Sequence, residues 1–328
     1  MYLKNNKFDR VGNRVLKYAL IVISFVVLID AQTFCRTKVE MGTFITISVD
    51  VEDKNFVEEG FKILHDVTLS LSSYDPKALV YKLNNFKEVD LDNYLYEALQ
   101  LSQYYYKQSD GYFDVRVGAI TKGLFRFGED ERVPTSTELE KAKLSFEGLW
   151  FDKERATLMD GMKIDLGGMG KGFGVDKVFA FYKEKGVQKV VISASGDIRC
   201  LERCDVEVHN PFGDAPLASF KTSKTEMGIS TSGNYNRYVQ STQYNHLIDP
   251  KSKKSQNSFI SITLISSLPN SDLDAYATAA SVMPLKKAYS FLENLDLAYI
   301  ILQSNKELKL SPNISNYTTD LVIYDTQK

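Results

Sequence analysis

The chain has 328 residues, of which 44% are hydrophobic and 25% are charged, a composition typical of a globular protein with enough apolar material for a core. This length fits one large domain or two modest ones. The formal net charge of -2 argues against a general nucleic-acid-binding protein, which would normally present a basic surface.

The N-terminal segment, residues 1–31, combines basic residues with a short apolar run from Tyr18 to Ile29. The run is shorter than the roughly 20 residues that a membrane span needs, so the pattern favours a secretory signal peptide. Ile29 is not small, which weakens a cleavage site after Ala31, so an uncleaved membrane anchor is the alternative. A lipoprotein attached through Cys35 is less favoured, because the residues before it are not small. Each alternative predicts an exported protein.

The first elements after this segment are predicted from apolar spacing. Alternation over Glu40–Val51 predicts a half-buried strand. Helical spacing predicts a helix that includes Val57 and ends before Pro76, and a second helix over Asp92–Gln108. An Asp-Gly dipeptide within Thr157–Asp165 predicts a β-hairpin at that point.

The glycine-rich stretch Ile164–Gly174 leaves a predicted strand and enters a predicted helix. It places Asp165 just before the turn and Lys171 in the first helical turn. Glycines allow a close approach of the backbone to a ligand, and a helix N-terminus favours an anion. The stretch therefore predicts a ligand site, with a tight turn that binds nothing as the alternative. It is not a Walker A loop, because Lys171 is followed by glycine rather than by serine or threonine.

The rest of the chain alternates predicted strands and helices and forms one mixed α/β unit. A buried strand over Val190–Ile192 is followed by Ser195-Gly-Asp197, at the strand end where open α/β sheets bind ligands. Another strand is predicted over Phe259–Ile265, and a helix begins at Ser271.

The cysteines and histidines point to no zinc site. The sequence has three histidines and three cysteines, but neither an H-E-x-x-H motif nor a C-x-x-C motif. Cys200 and Cys204 could pair in an oxidising compartment. On one continuous strand they would lie too far apart for a relaxed bridge, so two free cysteines are an equal alternative.

Asp274 and Thr278 are candidates for binding a metal ion. They lie four residues apart on a predicted helix, so their oxygens share one face. With a backbone carbonyl, they would form a partial shell for a hard cation such as Mg²⁺. The alternative is a capping box, because Ser271-x-x-Asp274 is a common helix start.

Several further residues could contact a ligand. His246 is a candidate general base near neutral pH, although a lone histidine is more often structural. Ser232 is not preceded by the glycine of a nucleophile elbow, so we interpret it as a ligand contact. Tyr74, Tyr112 and Phe113 lie at element ends, where they could stack on a planar ligand or belong to the core.

The order of the motifs along the chain is more specific than any one of them. The motifs are Met41-Gly-Thr, Leu71-Ser-Ser-Tyr74-Asp-Pro, Gly111-Tyr-Phe-Asp114, Asp165-Leu-Gly-Gly-Met-Gly-Lys171-Gly, Ser195-Gly-Asp197-Ile, Thr231-Ser-Gly-x-Tyr235, His246-x-Ile-Asp-Pro250 and Asp274-Ala-x-Ala-Thr278-Ala. Over about residues 38–305 this series resembles the ApbE family, the FAD:protein FMN transferases. The resemblance implies a single T-fold-like, layered α/β domain (mixed α+β) over residues 32–328.

The resemblance also implies an activity. An enzyme of this family takes FAD and Mg²⁺ and attaches the FMN half, through a phosphoester bond, to a threonine or serine of a target flavoprotein, releasing AMP. The expected partners are FAD and a subunit of a respiratory redox complex, with no nucleic acid. The expected location is the periplasmic face of the bacterial inner membrane.

Carried over motif by motif, the resemblance assigns site residues. The metal ligands would be Asp274, Thr278 and the backbone carbonyl of Gly168. The catalytic residues would then be Asp274, through the metal, and His246, which the chemistry of the reaction suggests as the base. The FAD contacts would be Met41, Tyr74, Tyr112, Phe113, Asp114, Asp165, Lys171, Ser232, His246 and Ile248.

The chain departs from the family pattern where a glycine commonly follows the Asp-Pro turn, since it has Lys251-Ser-Lys-Lys254 there. This departure removes none of the proposed metal ligands. Two other activities remain open: an Mg²⁺-dependent FAD pyrophosphatase that forms FMN and AMP, and a non-catalytic FAD-binding protein.

Overall fold

The structure is a computed structural model that describes residues 33–144 and 148–324. The predicted signal or anchor segment, residues 1–31, lies outside the described residues. From Phe34 onward, the described residues belong to one compact unit. Within them, no helix is both long enough and apolar enough to cross a membrane.

The helices and strands follow in chain order. The α-helices are α1 (Val57–Leu71), α2 (Leu79–Phe86), α3 (Asn93–Gln108), α4 (Gly118–Ile120), α5 (Ser136–Lys141), α6 (Gly170–Glu184), α7 (Asn270–Val282) and α8 (Leu285–Glu293). Short 3-10 turns span Val51–Phe56, Val115–Val117, Thr242–Tyr244 and Ile314–Asn316, and a π-helical turn spans Thr121–Phe125. The strands are β1 (Thr33–Glu40), β2 (Thr43–Asp50), β3 (Glu88–Asp90), β4 (Leu149–Phe151), β5 (Arg155–Leu158), β6 (Val190–Ala194), β7 (Asp197–Cys200), β8 (Asp205–Val208), β9 (Ala218–Thr222), β10 (Met227–Gly233), β11 (Ile248–Asp249), β12 (Lys254–Ser255), β13 (Phe259–Ser266), β14 (Ala298–Gln303), β15 (Leu308–Leu310) and β16 (Thr318–Ile323).

The largest sheet in the described part of the chain has eight strands in the order β1-β2-β6-β7-β10-β13-β14-β15. Its strand pairs from β2 to β15 are antiparallel. The rule for open α/β sheets, which are mostly parallel, therefore does not account for the position of Asp197. Ser195 and Gly196 form the turn of a β6–β7 hairpin in which Ala194 pairs with Asp197.

The sheet is covered on both faces, because its central strands carry apolar side chains on alternate sides. On β13, Ile262 and Leu264 join a core with α3, α6 and α7, whereas Ile265 joins a second core. That second core includes Val206 and Phe220 of the small sheet β16-β9-β8. Helices, central sheet and small sheet thus form layers, and the prediction of a mixed α/β fold is confirmed.

Of two local predictions, one is confirmed with a later start and the other is wrong. The strand predicted over Glu40–Val51 forms as β2 over Thr43–Asp50, with Ile45, Ile47 and Val49 buried. It begins after a turn in which Met41 has φ 53° and Gly42 has φ 74°. The hairpin predicted within Thr157–Asp165 does not form, because β5 pairs with β3 and β4, which leaves residues 159–165 unpaired.

The two cysteines near the end of β7 form a disulfide, Cys200–Cys204. The strand ends at Cys200 and the chain turns, so the two Cα atoms lie 6.2 Å apart, within the range that a disulfide spans. The objection based on a continuous strand does not apply.

Candidate functional site

Helix α7 presents two polar side chains, Asp274 and Thr278, from an otherwise apolar, alanine-rich surface. Asp274 is buried, with 2% of its surface exposed. Its Oδ2 accepts a hydrogen bond from the backbone N–H of Gly172 at 3.2 Å. Lys171 Nζ lies 3.3 Å from the same oxygen. One of the free N–H groups at the start of α6 is therefore bound by a carboxylate of the protein itself.

The capping interpretation of Asp274 is wrong, because another carboxylate caps α7. The side chain of Asp176, from α6, accepts the backbone N–H groups of Asn270 and Ser271, each at 2.8 Å. The Asn270 amide donates to the carbonyls of Ile198 on β7 and Ile229 on β10, each at 3.0 Å. The start of α7 is thus tied to both α6 and the central sheet.

Thr278 lies against the glycine turn that leads into α6. Its hydroxyl donates to the backbone carbonyl of Gly168 at 3.2 Å, and Ser232 Oγ lies 3.4 Å from Thr278 Oγ1. A Cβ added to Gly168 would come within 2.9 Å of Thr278 Cγ2 and 3.3 Å of Phe113 Cε2. The glycine is required for this close approach.

The Lys171 ammonium lies between two carboxylates, those of Asp197 and Asp274. Lys171 Nζ lies 2.7 Å from Asp197 Oδ2, and Asp197 is completely buried. Burial and the neighbouring Asp274 raise the pKa of the Asp197 carboxyl. Burial alone would lower the pKa of the Lys171 ammonium, but the two carboxylates outweigh it and raise that pKa.

The donor set at this point fits a hard cation. Asp274, Thr278 and the Gly168 carbonyl supply a carboxylate, a hydroxyl and a carbonyl oxygen on facing elements. Mg²⁺ prefers oxygen ligands and keeps further positions for water and substrate phosphates. In the described part of the chain, no three His, Cys, Asp or Glu side chains cluster in a way that could hold a metal. The candidate ligands are the three oxygen donors above, on the chemistry of that set.

His246 lies in the turn that precedes β11 and is half-buried. Its Nδ1 lies 3.1 Å from the backbone carbonyl of Arg237, and a carbonyl only accepts, so Nδ1 carries the proton. The other ring nitrogen, Nε2, is left with a lone pair. Burial and the Arg237 charge lower the pKa of His246 to about 4. The charges of Asp165 and Lys171 act on this pKa in opposite directions, Asp165 raising it and Lys171 lowering it.

The predicted flavin contacts on the glycine side of the site lie near one another. Asp165 accepts from Thr121 Oγ1 at 2.8 Å and from its own turn at Gly167 N at 3.0 Å. The Tyr74 ring is 39% exposed, and its hydroxyl donates to the Phe127 carbonyl at 3.0 Å. An exposed ring on a fixed hydroxyl is suited to stacking.

Met41 and Ile248 are held by packing. The Met41 sulfur lies against Gly174 of α6, where an added Cβ would be 2.7 Å away. The Ile248 side chain is buried in a small cluster with Ile120 and Phe127, so only its backbone remains to contact a ligand.

Tyr112 and Asp114 lie in a more basic environment. Lys251 belongs to the Lys-Ser-Lys-Lys sequence that differs from the family pattern, and its Nζ lies 4.2 Å from the Tyr112 ring centroid. Both Asp114 oxygens accept from the Arg116 guanidinium, at 2.7 and 2.5 Å. A cavity of about 460 Å³ lies beside these residues, lined by Tyr106, Lys107, Asp110, Gly111, Asp114, Arg116, Leu144, Pro250 and Lys251.

Sequence reasoning did not assign three residues that the structure brings to the site. Asp197 was recognised only as part of a motif, and its contact with Lys171 depends on the β6–β7 hairpin. Lys122 and Arg237 both approach the Tyr74 ring, at 3.3 and 5.6 Å from its centroid. No motif surrounds either of them, so single-sequence reasoning had no signal for them.

Comparisons with known proteins find similar proteins along most of the chain. The model of the ApbE family matches residues 41–301. The chain is 24% identical over 310 residues to the FAD:protein FMN transferase of Klebsiella pneumoniae, which covers 88% of this chain and 97% of that protein. It is 27% identical over 289 residues to the FAD:protein FMN transferase of Haemophilus influenzae, covering 79% and 81% of the two chains.

Solved structures share the fold. The ApbE protein of Thermotoga maritima has a TM-score of 0.80 at 23% identity and covers 88% of this chain and 100% of its own. The flavin transferase ApbE of Vibrio cholerae has a TM-score of 0.74 at 19% identity, with the same coverage of 88% and 100%.

Proposed function

Because this chain belongs to the ApbE family, we propose that it is a FAD:protein FMN transferase, an enzyme that moves the FMN half of FAD onto a target flavoprotein. The observation that carries the proposal is the junction of α6 and α7. There the Gly168 carbonyl, Asp274 and Thr278 meet beside the Lys171 ammonium. Oxygen donors for a cation next to a fixed ammonium suit a pyrophosphate substrate.

We propose the following transfer reaction. The hydroxyl oxygen of a threonine or serine on the target protein attacks the phosphorus atom of the FMN half. The bond from that phosphorus to the bridging oxygen breaks, and AMP leaves with the bridging oxygen. A phosphoester then joins FMN to the protein. Mg²⁺ bound at Gly168, Asp274 and Thr278 would neutralise negative charge on the pyrophosphate oxygens.

Lys171 and His246 have separate roles in this proposal. Lys171, held between two carboxylates, provides a fixed positive charge beside the pyrophosphate. His246 accepts the proton of the attacking hydroxyl at Nε2, since its Nδ1 already donates to a backbone carbonyl. Its lowered pKa keeps the ring neutral, and therefore able to accept a proton, at neutral pH.

One assay separates transfer from the two alternative activities. The protein is mixed with FAD, Mg²⁺ and a fragment of a respiratory flavoprotein subunit that carries an acceptor threonine. In-gel flavin fluorescence of the fragment together with AMP is the expected result, and a threonine-to-valine fragment is the control. AMP without labelled protein would indicate a pyrophosphatase instead. Neither product, with FAD still bound, would indicate a binding protein.

We also infer that the enzyme works at the periplasmic face of the bacterial inner membrane, associated with it if residues 1–31 are retained. The supporting observations are the basic and apolar pattern of those residues and the Cys200–Cys204 disulfide, since disulfides persist in oxidising compartments. Protease added to spheroplasts should degrade the full-length protein. Complete protection, with a cytoplasmic control equally protected, would contradict the inference.

A further inference from the structure

Lys122 is a buried lysine whose charge is poorly satisfied by the protein. It lies in the π-helical turn Thr121–Phe125, and 6% of its surface is exposed. Within residues 33–144 and 148–324, its Nζ has no hydrogen-bond partner. The ammonium lies 3.3 Å from the Tyr74 ring centroid and 3.8 Å from Asp165 Oδ2, which is beyond hydrogen-bonding distance.

The surroundings of Lys122 make this arrangement costly without a ligand. Burial lowers the pKa of its ammonium, while the charges of Asp165 and Glu129 raise it and that of Lys163 lowers it further. The Arg237 guanidinium approaches the same Tyr74 ring, and burial lowers the pKa of Arg237 to about 10. A buried cation that lacks hydrogen bonds destabilises a protein, so a ligand acceptor that satisfies it would be bound firmly.

We propose that Lys122 is a substrate-binding residue that donates a hydrogen bond to a carbonyl oxygen on the pyrimidine edge of the flavin ring. This inference rests on the proposed function, in which FAD is the substrate. Two neighbours favour the ring over a phosphate. The Lys122 ammonium covers part of the Tyr74 ring, and the part that stays exposed offers an aromatic edge to a planar ligand next to Nζ. The Asp165 carboxylate would repel a phosphate at the same place.

Asp165 fits the same ring edge. Each of its oxygens accepts one protein hydrogen bond, from Gly167 N and from Thr121 Oγ1. A carboxylate oxygen can accept a second, which suits the ring N–H that lies next to the carbonyls of a flavin. The Lys122 ammonium, a donor, and the Asp165 carboxylate, an acceptor, thus lie 3.8 Å apart. They match the neighbouring carbonyl and N–H groups of the pyrimidine edge.

The test compares FAD with ADP-ribose, which has the adenosine and the pyrophosphate but no flavin ring. Calorimetric titrations use the full-length protein, Lys122→Met and Lys122→Arg. Lys122→Met should weaken FAD binding about tenfold or more, the loss expected for a hydrogen bond from a charged group. It should leave ADP-ribose binding within about twofold, since that ligand does not reach the contact. Lys122→Arg should recover part of the FAD affinity.

Three outcomes would overturn the inference. Equal weakening of FAD and ADP-ribose would mean that Lys122 contacts a phosphate. Unchanged FAD affinity would mean that it contacts no ligand. A lower melting temperature of ligand-free Lys122→Met would mean that Lys122 is a structural ion pair with Asp165. We expect a melting temperature that is not lower, because the buried cation has no hydrogen bond to lose and Asp165 keeps its bonds from Gly167 N and Thr121 Oγ1.

Failure of this inference differs from failure of the proposed function. If the wild-type protein flavinylates its acceptor but Lys122→Met binds FAD normally, only the role of Lys122 is wrong. If the wild-type protein binds FAD in a Lys122-dependent way but transfers nothing, only the transfer reaction is wrong.

Discussion

Lys171 sets the charge balance of the candidate site. Its ammonium is shared by Asp197 and Asp274, at 2.7 and 3.3 Å, and all three groups lie largely out of solvent. Burial and the neighbouring Asp274 raise the pKa of Asp197 to about 7, so the net charge of the three side chains lies between 0 and −1 at neutral pH. The same ammonium can face an anionic substrate because it is held in place by the protein. This arrangement supports the proposal that Mg²⁺ and the pyrophosphate of FAD bind side by side here.

His246 has a predicted effect on stability as well as on the reaction. Its folded pKa of about 4 lies below the ordinary value of 6.5, so the unfolded chain binds a proton at higher pH than the folded chain does. Stability from this residue is present above pH 6.5 and is lost as the pH falls towards 4. The full loss is about 3 kcal/mol.

His246→Gln removes this titration. Denaturant unfolding at pH 7 and at pH 4.5 should show that the wild-type protein loses about 2–3 kcal/mol more than the variant on acidification. At pH 7 the variant should transfer FMN about 100-fold more slowly while binding FAD with similar affinity. Equal acid sensitivity of the two proteins would contradict the buried neutral state, and loss of FAD binding would make His246 a ligand contact rather than a base.

The approach of α6 to α7 builds the site at the scale of elements. A Cβ on Gly172 would lie 2.2 Å from the Asn270 carbonyl oxygen, so the helix starts meet at a distance that only glycine permits. Asp176, one turn further along α6, binds the two leading N–H groups of α7. These contacts fix where Asp274 and Thr278 stand relative to Lys171.

Asp176→Ala tests the cap. The loss of two hydrogen bonds to the start of α7 should lower stability by about 1–2 kcal/mol, the usual cost of a lost helix cap. It should also weaken Mg²⁺-dependent transfer about tenfold, because α7 carries both side-chain ligands. Asp176→Asn keeps an accepting oxygen and should lose less of each. If Asp176→Ala were destabilised but fully active, the cap would be structural only.

Gly172→Ala tests the close approach, with Gly170→Ala as its matched control on the same helix. The added methyl group at Gly172 would collide with backbone, whereas no atom outside the helix lies within 4 Å of a Cβ at Gly170. Thermal unfolding should show a loss of about 2 kcal/mol or more for Gly172→Ala. Gly170→Ala should change stability by about 1 kcal/mol or less. Similar behaviour of both variants would contradict the packing argument.

At the scale of the whole molecule, the helical and buried elements could be read from sequence. Helices from Val57 and over Asn93–Gln108, and strands such as Phe259–Ser266, follow apolar spacing because one or both of their faces are buried. The pairing of strands could not be read in this way. The antiparallel neighbours of β6 and β7 determine where Asp197 lies, and that depends on the ladder rather than on local pattern.

Sequence motifs pointed to some residues of the candidate site, but residues outside any motif could not be assigned from the sequence. Thr278 and the Gly168 carbonyl, which are 110 residues apart in the chain, are in contact, and Asp274 lies one turn before Thr278 on the same helix. Lys122 and Arg237 approach Tyr74 through tertiary packing alone. The capping alternative for Asp274 could be excluded only from the structure, because Asp176, from another helix, binds the leading N–H groups of α7.

The measurement that tests the account most directly compares two aspartates on the same helix. Asp274 faces the site, whereas Asp272 accepts a hydrogen bond from Tyr105 at 2.6 Å on another side of α7. FMN transfer to an acceptor fragment is timed for Asp274→Asn and Asp272→Asn at saturating FAD and Mg²⁺. We predict that Asp274→Asn is at least about 100-fold slower than the wild-type protein. Asp272→Asn should stay within about threefold of it. Equal rates for the two variants would contradict the assignment of the α6–α7 junction as the catalytic site.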